Sequence, residues 1–346
     1  MEYYAGLDVS LEQTSVCIVD GSGKIVKETK VLSEPGALVA FLKGFSLTRI
    51  GLEAGPLSQW LHAALIEAGF GSVLLETRHV KAALSAMTVK TDRKDARGIA
   101  QLLRMGWYRP VHCKSMPAQE TRVLLTARKL LLGKMLDVEL GIRGLLRGFG
   151  LKVGPTTKPK FAARVRELIS GQTTLEAVIE PMLLCREVLR KEFNGLHKKL
   201  LAIVRDDTVC RRFMTAPGVG PVAALTYATA VDDPNRFSSS RAVGAHFGLT
   251  PKKYQSGETD ITGRITKAGD AMARAALYEA AMSLLVRVER MSALKAWGLK
   301  VAKRRGLKRA VVAVARKLAC VLHRMWMDEA EFRWTKEPAA PITAAA

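Results

Sequence analysis

The stretch YYAGLDVSLEQTSVCIVDGSGKIVKETKVL, residues 3–32, decides the fold of the first third of the chain. Its runs YYAGLDVS and SVCIVD are short and rich in β-forming residues, and GSGK at 21–24 reads as a turn before IVKETKVL. That is a three-strand meander. Moving outward, a helix is expected over 36–45, a strand at TRIGLEAG (48–55), and a helix at LSQWLHAALIEAG (57–69) closed by a C-cap glycine. The strand GSVLLE (71–76) follows, then a helix from about Asp92 to Met105. Three antiparallel strands followed by alternating helices and strands is the order of an α/β RNase H-like domain, here residues 1–110. Other α/β folds share parts of that order.

From Pro117 the period changes. AQETRVLLTARKLLLGKMLDVELGIRGLLRGF (118–149) and TLEAVIEPMLLCREVLRKEFNGLHKKLLAIVRDD (174–207) place apolar residues at helical spacing, with LKVGPTTKPK (151–160) between them. Helices this long suggest a coiled-coil arm over 111–205, folded back on itself or paired with another subunit. Residues 206–330 read as a mainly α region. APGVGPVAAL (216–225) resembles a helix-hairpin-helix turn, and KKYQSGETDITGRITKAGD (252–270) is polar and aperiodic, so it reads as a loop. The tail, 331–346, is expected to be disordered.

Charge narrows the function. Of 346 residues 54 are Lys or Arg and 32 are Asp or Glu, a net charge of +22, which points to a polyanionic partner such as nucleic acid. The excess is uneven: residues 1–110 carry 13 basic and 11 acidic side chains, whereas residues 251–324 carry 17 and 5. The first part therefore keeps its carboxylates while the last part sheds them. The five cysteines stand singly, which signals neither a disulfide framework nor a zinc site. No apolar run is long enough for a membrane span and no signal peptide opens the chain, so a bacterial, nucleoid-associated cytoplasmic protein is expected.

Four of the retained acids stand out. Asp8 interrupts an apolar first strand, where a carboxylate is costly to bury unless paired or metal-bound; otherwise it is a strand-end residue facing solvent. Glu53 ends the strand expected beside it, at the sheet edge where open α/β sheets bind ligands. Asp92 and Asp95, three apart in KTDRKDARG (90–98), share one helix face. Alone they read as an N-cap and a first-turn acid. Four converging carboxylates, however, need cations between them. Two Mg²⁺ ions roughly 4 Å apart, or Mn²⁺ in their place, would activate the attacking oxygen and stabilise the leaving one in phosphoryl transfer. Lys90, Arg93, Lys94 and Arg97 around them read as phosphate contacts.

In the C-terminal region Gly218 and Gly220 offer backbone amides to a phosphate, or simply make a tight turn. Lys252, Lys253, Arg264, Lys267, Arg304 and Arg305 are further candidate phosphate clamps. Ser256, followed by Gly257, has no His or Asp at an activating spacing, and His246, in an apolar helix, reads as a core residue.

GLDVS, GLEAG and TDRKDARGIAQLLR, followed by PGVGPVAALTYATAVDDPNRFSSSRAVGAHFGLTPKKYQSGETDITGRITKAGD, closely resemble the DEDD transposases of the insertion-sequence 110 family, which includes the Piv-type DNA invertases. The resemblance runs in order over most of the chain. It implies a RuvC-like domain whose four acids are Asp8, Glu53, Asp92 and Asp95, a helical arm, and a C-terminal transposase domain whose serine nucleophile is Ser256. It also implies a covalent 5′-phosphoserine intermediate, a site completed by the acids of another subunit in a dimer or tetramer, and a noncoding guide RNA that pairs with donor and target DNA. A junction resolvase or nuclease working with the four acids and water is the alternative, and it should tolerate Ser256→Ala. A sugar-kinase or actin-like ATPase would need a glycine- and hydroxyl-rich phosphate loop, which DVSLEQTS lacks. A non-catalytic nucleic-acid-binding protein would tolerate Asp8→Asn.

Overall fold

A computed structural model describes residues 2–85 and 89–335, which fall into two compact units divided after Lys114. In the first unit β1 (Tyr3–Val9), β2 (Gln13–Asp20) and β3 (Ile25–Leu32) form the meander. Next come α1 (Pro35–Leu42), β4 (Leu47–Glu53), α2 (Ser58–Glu67), β5 (Ser72–Leu75), α3 (Thr77–Leu84) and α4 (Asp92–Arg104). The sheet order is β3-β2-β1-β4-β5, with β1 antiparallel to β2 and parallel to β4. This is the RNase H-like arrangement that the meander predicts. One face packs Leu7, Ile50, Leu52 and Leu74 against Leu38, Leu42, Leu61 and Leu65 of α1 and α2.

The other face receives α4 on Cys17, Val19 and Leu75, around two positions that are bare of side chains. Gly6 on β1 and Gly51 on β4 are register partners. A Cβ on Gly6 would lie 2.2 Å from the Ala96 carbonyl oxygen and 2.4 Å from the Ala100 nitrogen, both backbone atoms of α4. A Cβ on Gly51 would lie 2.7 Å from Leu103 Cδ1. Close packing leaves no room for either. The glycine pair therefore fixes how near, and where, the helix crosses the sheet.

In the second unit α5 (Met116–Arg147) and α7 (Thr173–Asp206) run antiparallel as a hairpin, with α6 (Phe161–Ile169) in the connection. Arg186, 1% exposed, locks it: its guanidinium donates to Glu139 at 2.7 Å and to the Lys158 carbonyl at 2.8 Å, above the Phe161 ring. A charge this buried is tolerated because a carboxylate pairs with it and a backbone carbonyl accepts from it.

The remaining elements are α8 (Thr208–Met214), α9 (Pro221–Val231), α10 (Ser240–His246), β6 (Pro251–Ser256), β7 (Thr259–Ile265), α11 (Ala271–Val286), α12 (Ala293–Arg305) and α13 (Leu307–Met327). Their core centres on α13, whose buried neighbour Tyr227 donates its hydroxyl to the Ala319 carbonyl at 2.7 Å.

Three expectations are corrected here. Residues 252–265 lie in a two-stranded antiparallel hairpin, not an aperiodic loop; both its faces are exposed, so no apolar alternation announces it. His246 is exposed, its ring edge against Phe237 and Phe247, rather than buried. The start of the supposed disordered tail is packed: Phe332 is 8% exposed and its amide donates to Thr215 Oγ1 at 2.9 Å. Residues 336–346 of that tail lie outside the described residues.

Candidate active site and nucleic-acid-binding residues

Register places the first two acids. Leu7 and Leu52 are partners on parallel β1 and β4, so Asp8 and Glu53 follow side by side at the strands' C-terminal ends. Each is two residues beyond its glycine, Gly6 or Gly51, and so lies on the face that α4 covers. Ala96 rests over Gly6, which brings the turn before it, carrying Asp92 and Asp95, to the Asp8 end. Two glycines thus set two helix acids against two strand acids. A cavity of about 360 Å³ opens beside Asp8 and Glu53, bounded by Ser10, Gly55 and Ser58.

Electrostatics report the convergence. Burial, then the charges of Asp95, Asp92 and Glu53, push the Asp8 carboxyl up to about 6, with Lys90 opposing them. Burial also raises Glu53, the Thr77 hydroxyl works against it, and Asp95 adds to the rise. Lysines sit on the helix acids: Lys30 is 3.8 Å from Asp92, and Lys90 is 3.8 Å from Asp95. Among the described residues no three His, Cys, Asp or Glu side chains stand close enough to hold a metal ion. The donor set nevertheless suits one in kind. Four hard carboxylates, two of them carrying a disfavoured charge, match the oxygen ligation of Mg²⁺ or Mn²⁺. The helix is capped by Thr91, which accepts from the Lys94 amide at 3.3 Å; Asp92 is therefore not the cap.

Arg93 and Arg97, read from sequence as phosphate contacts, are turned elsewhere. Both donate to Glu28 of β3, Arg93 Nε at 2.6 Å and Arg97 Nη2 at 2.7 Å. Their hydrogen bonds, Arg97's first, and their charges hold the Glu28 carboxyl down to about 2. Sequence reading missed Glu28. The i,i+4 arginine pair was the available signal, but its acid lies 65 and 69 positions away. Because α4 carries Asp92 and Asp95, Glu28 acts as their anchor.

Glu28→Gln is expected to cost about 1–2 kcal/mol, discounted because both arginines are more than one-third exposed. The folded carboxyl is depressed, so its contribution is present above the ordinary carboxylate range and fades only as pH falls toward about 2. Thermal melts of the two proteins should differ by a constant amount from neutral to mildly acidic pH. Identical melting at neutral pH would refute the anchor.

Gly218 (φ +85°) is required by packing: a Cβ there would lie 2.4 Å from the Ala280 carbonyl of α11. Gly220 precedes α9 and has open space above it. Ser256 ends β6, paired in register with Thr259 across the Gly257–Glu258 turn, and is exposed. Lys252 and Lys253 are exposed on the same strand, Lys253 being 3.2 Å from Asp260. Arg264, Lys267, Arg304 and Arg305 are exposed.

A model of DEDD transposases of the IS110 type matches residues 5–150, and one described as transposase IS116/IS110/IS902 family matches 210–298. The transposase for insertion sequence element IS1111A of Coxiella burnetii is 28% identical, covering 95% of this chain and 90% of its own length. The putative transposase y4pF/y4sB of Sinorhizobium fredii is also 28% identical, over 86% and 77%. Among solved structures, RuvC of T. thermophilus in complex with a Holliday junction substrate matches 32% of this chain and all of that one, at 16% identity and a TM-score of 0.26. No helix among the described residues is long and apolar enough to cross a membrane. With its acid-bearing segment and its C-terminal segment both matched in order, and a relative aligned over nearly its whole length, the chain belongs to the IS110 family of transposases, enzymes that recombine DNA.

Proposed function

We propose that this transposase cuts and rejoins the DNA of an insertion sequence through a covalent serine intermediate. The observation that carries the reading is the gathering of Asp8 and Glu53 with the Asp92–Asp95 turn, reported by the Asp8 carboxyl held near 6. Asp8, Glu53, Asp92 and Asp95 would hold divalent metal, which when bound supplies Lewis-acid stabilisation of charge on phosphate oxygens. Ser256, exposed at a hairpin tip, is free to reach a phosphate from outside the protein's own core. Its Oγ forms a bond to phosphorus, the P–O3′ bond breaks, and the departing 3′ oxygen takes up the proton that the serine lost. Attack by another 3′ hydroxyl reverses the sequence and frees the serine, so bond energy is conserved throughout.

Among the described residues the exposed serine has no side-chain partner to activate it, which fits a site completed by the acids of another copy in a homo-oligomer. The long α5–α7 hairpin leaves Leu130, Leu140, Leu184 and Val188 exposed, as a pairing surface would. The net charge of +22 suits a protein that holds a guide RNA as well as donor and target DNA, with base pairing supplying the choice of sequence.

The test is a denaturing gel with the cleaved strand labelled at its 3′ end, cognate DNA and the element's own transcript. The wild-type protein should carry a covalent label that Ser256→Ala loses. Strand exchange by Ser256→Ala would instead establish water as the nucleophile and a resolvase-like chemistry.

A further inference from the structure

Helix α13 has two faces of opposite character. One is buried in the C-terminal core, with Val311, Val314, Leu318 and Leu322 at most 1% exposed. The other carries Lys308, Arg309, Arg316, Lys317 and Arg324, all exposed, on the turns around Val312, Ala313, Cys320 and Val321. These side chains form one wall of a cleft of about 1310 Å³. Three more cations enter from other elements: Arg241 on α10, Arg264 on β7 and Arg305 at the end of α12. Among the described residues no carboxylate lines the cleft. Among the described residues only Arg324 of these eight has an acidic partner, Asp328 at 2.6 Å, outside the lining. Lys317 lies over the Trp297 ring at 4.0 Å.

Seven unpaired cations around one cavity repel each other, and that arrangement persists in folded proteins where a polyanion neutralises it. The cationic row from Lys308 to Arg324 spans about 24 Å at roughly 1.5 Å per helical residue, an extended track rather than a pocket for one compact anion. Among the described residues the lining holds no Asn, Gln, Asp or Glu, the side chains that read adenine and cytosine edges, and its many Arg and Lys heads suit phosphate oxygens, so backbone contacts carry most of the affinity. The cations converge from four elements onto an apolar floor of Val312, Ala313, Val321 and Ile265. A duplex hides its sugar and base faces; a single strand presents them to such a floor.

We propose that this cleft holds one strand of DNA by its phosphodiester backbone, without reading its sequence. The choice of DNA rests on the transposase reading; the charge and shape do not. Pro251 and Ile265, register partners at the base of the β6–β7 hairpin, line the cleft, and Ser256 stands at the tip. At about 3.3 Å per residue the tip lies roughly 17 Å beyond that base. The cleft thus holds the strand some nucleotides away from the serine, keeping it attached between cutting and rejoining.

The test is fluorescence anisotropy of labelled oligo(dT) with the full chain over a salt series. Lys308→Glu/Arg309→Glu should weaken binding by at least about tenfold, and the slope of log K against log salt should flatten by about 1.4, since each strand phosphate contributes roughly 0.7. Both side chains are exposed, and removing two mutually repelling cations relieves the cluster, so circular-dichroism melting should be no lower than the wild type's; Lys308→Gln/Arg309→Gln gives a milder version of the same change. Lys198→Glu/Lys199→Glu on α7 matches the change in net charge and should leave the slope unaltered. An unchanged slope in the α13 variant overturns the proposal, as does an equal loss in the α7 variant. Equal sensitivity with duplex DNA overturns the single-strand assignment, and oligo(rU) bound about tenfold tighter than oligo(dT) would make the occupant RNA. Ser256→Ala should bind oligo(dT) normally. Loss of the covalent adduct test with the slope change intact would remove the serine mechanism and leave the cleft; the reverse would remove the cleft alone.

Discussion

Asp8→Asn is expected to abolish strand cleavage, by about 10²-fold or more, while making the protein more stable near neutral pH without added metal. The two effects have one cause. The Asp8 carboxyl sits at about 6 because burial and three neighbouring acids disfavour its charge. Its folded value is above the ordinary 3.8, so the folded state is penalised wherever the group is ionised. The penalty is complete above about pH 6, shrinks as pH falls, and is gone below the unfolded value. Asparagine removes it, a gain of about 1–2 kcal/mol once solvent screening at this half-buried site is allowed for. Melting curves should show the variant ahead at neutral pH and level with wild type by about pH 4. Added Mg²⁺ should then raise the wild-type melting temperature and leave the variant's nearly unmoved. A variant that melts lower than wild type at neutral pH would contradict the strained cluster. Full cleavage by it would remove Asp8 from the site.

Gly6→Ala is expected to lose activity as well, through the placement of α4. The new Cβ would stand 2.2 Å from the Ala96 oxygen and 2.4 Å from the Ala100 nitrogen. Both are helix backbone, so no side chain can turn aside and the whole helix must lift. Overpacking of this kind costs about 1–3 kcal/mol, and here it also carries Asp92 and Asp95 away from Asp8. The distinguishing measurement is a double-mutant cycle: in the Gly6→Ala background, Asp8→Asn should stabilise less than it does alone, because the repulsion has been relieved. Gly36→Ala, in helix α1 where nothing lies within 4 Å, is the matched control: it should leave activity unchanged and should not lower stability. Additive effects of Gly6→Ala and Asp8→Asn would show that the glycine does not position the acids.

Much of the first unit was legible because its periods are short-range. The meander, the strand ending at Glu53 and the helix starting at Asp92 follow from alternation, turn residues and a cap within a few positions of each other. The hairpin carrying Ser256 was not legible, because with both faces in solvent it needs no apolar alternation. The pairing of Arg93 and Arg97 with Glu28 was not legible for a different reason. A guanidinium on an exposed helix turn looks free until the strand bearing Glu28 is folded beneath it. Gly218 illustrates the same limit: its backbone is committed to α11, more than 60 residues downstream in the sequence.

By itself the sequence determined the chemical inventory of this protein: four carboxylates in a basic chain, a Ser-Gly step in a polar segment, two long helices, and a cationic C-terminal third. Those depend only on residue identity and local period. Tertiary structure alone decided which of them meet. The Gly6–Gly51 pair brings α4 onto the sheet, Glu28 anchors it, and α13 turns scattered arginines and lysines into one cleft wall. The physical reason is that a pairing across tens of residues is set by how closely two backbones can pack, and only the folded chain specifies that separation.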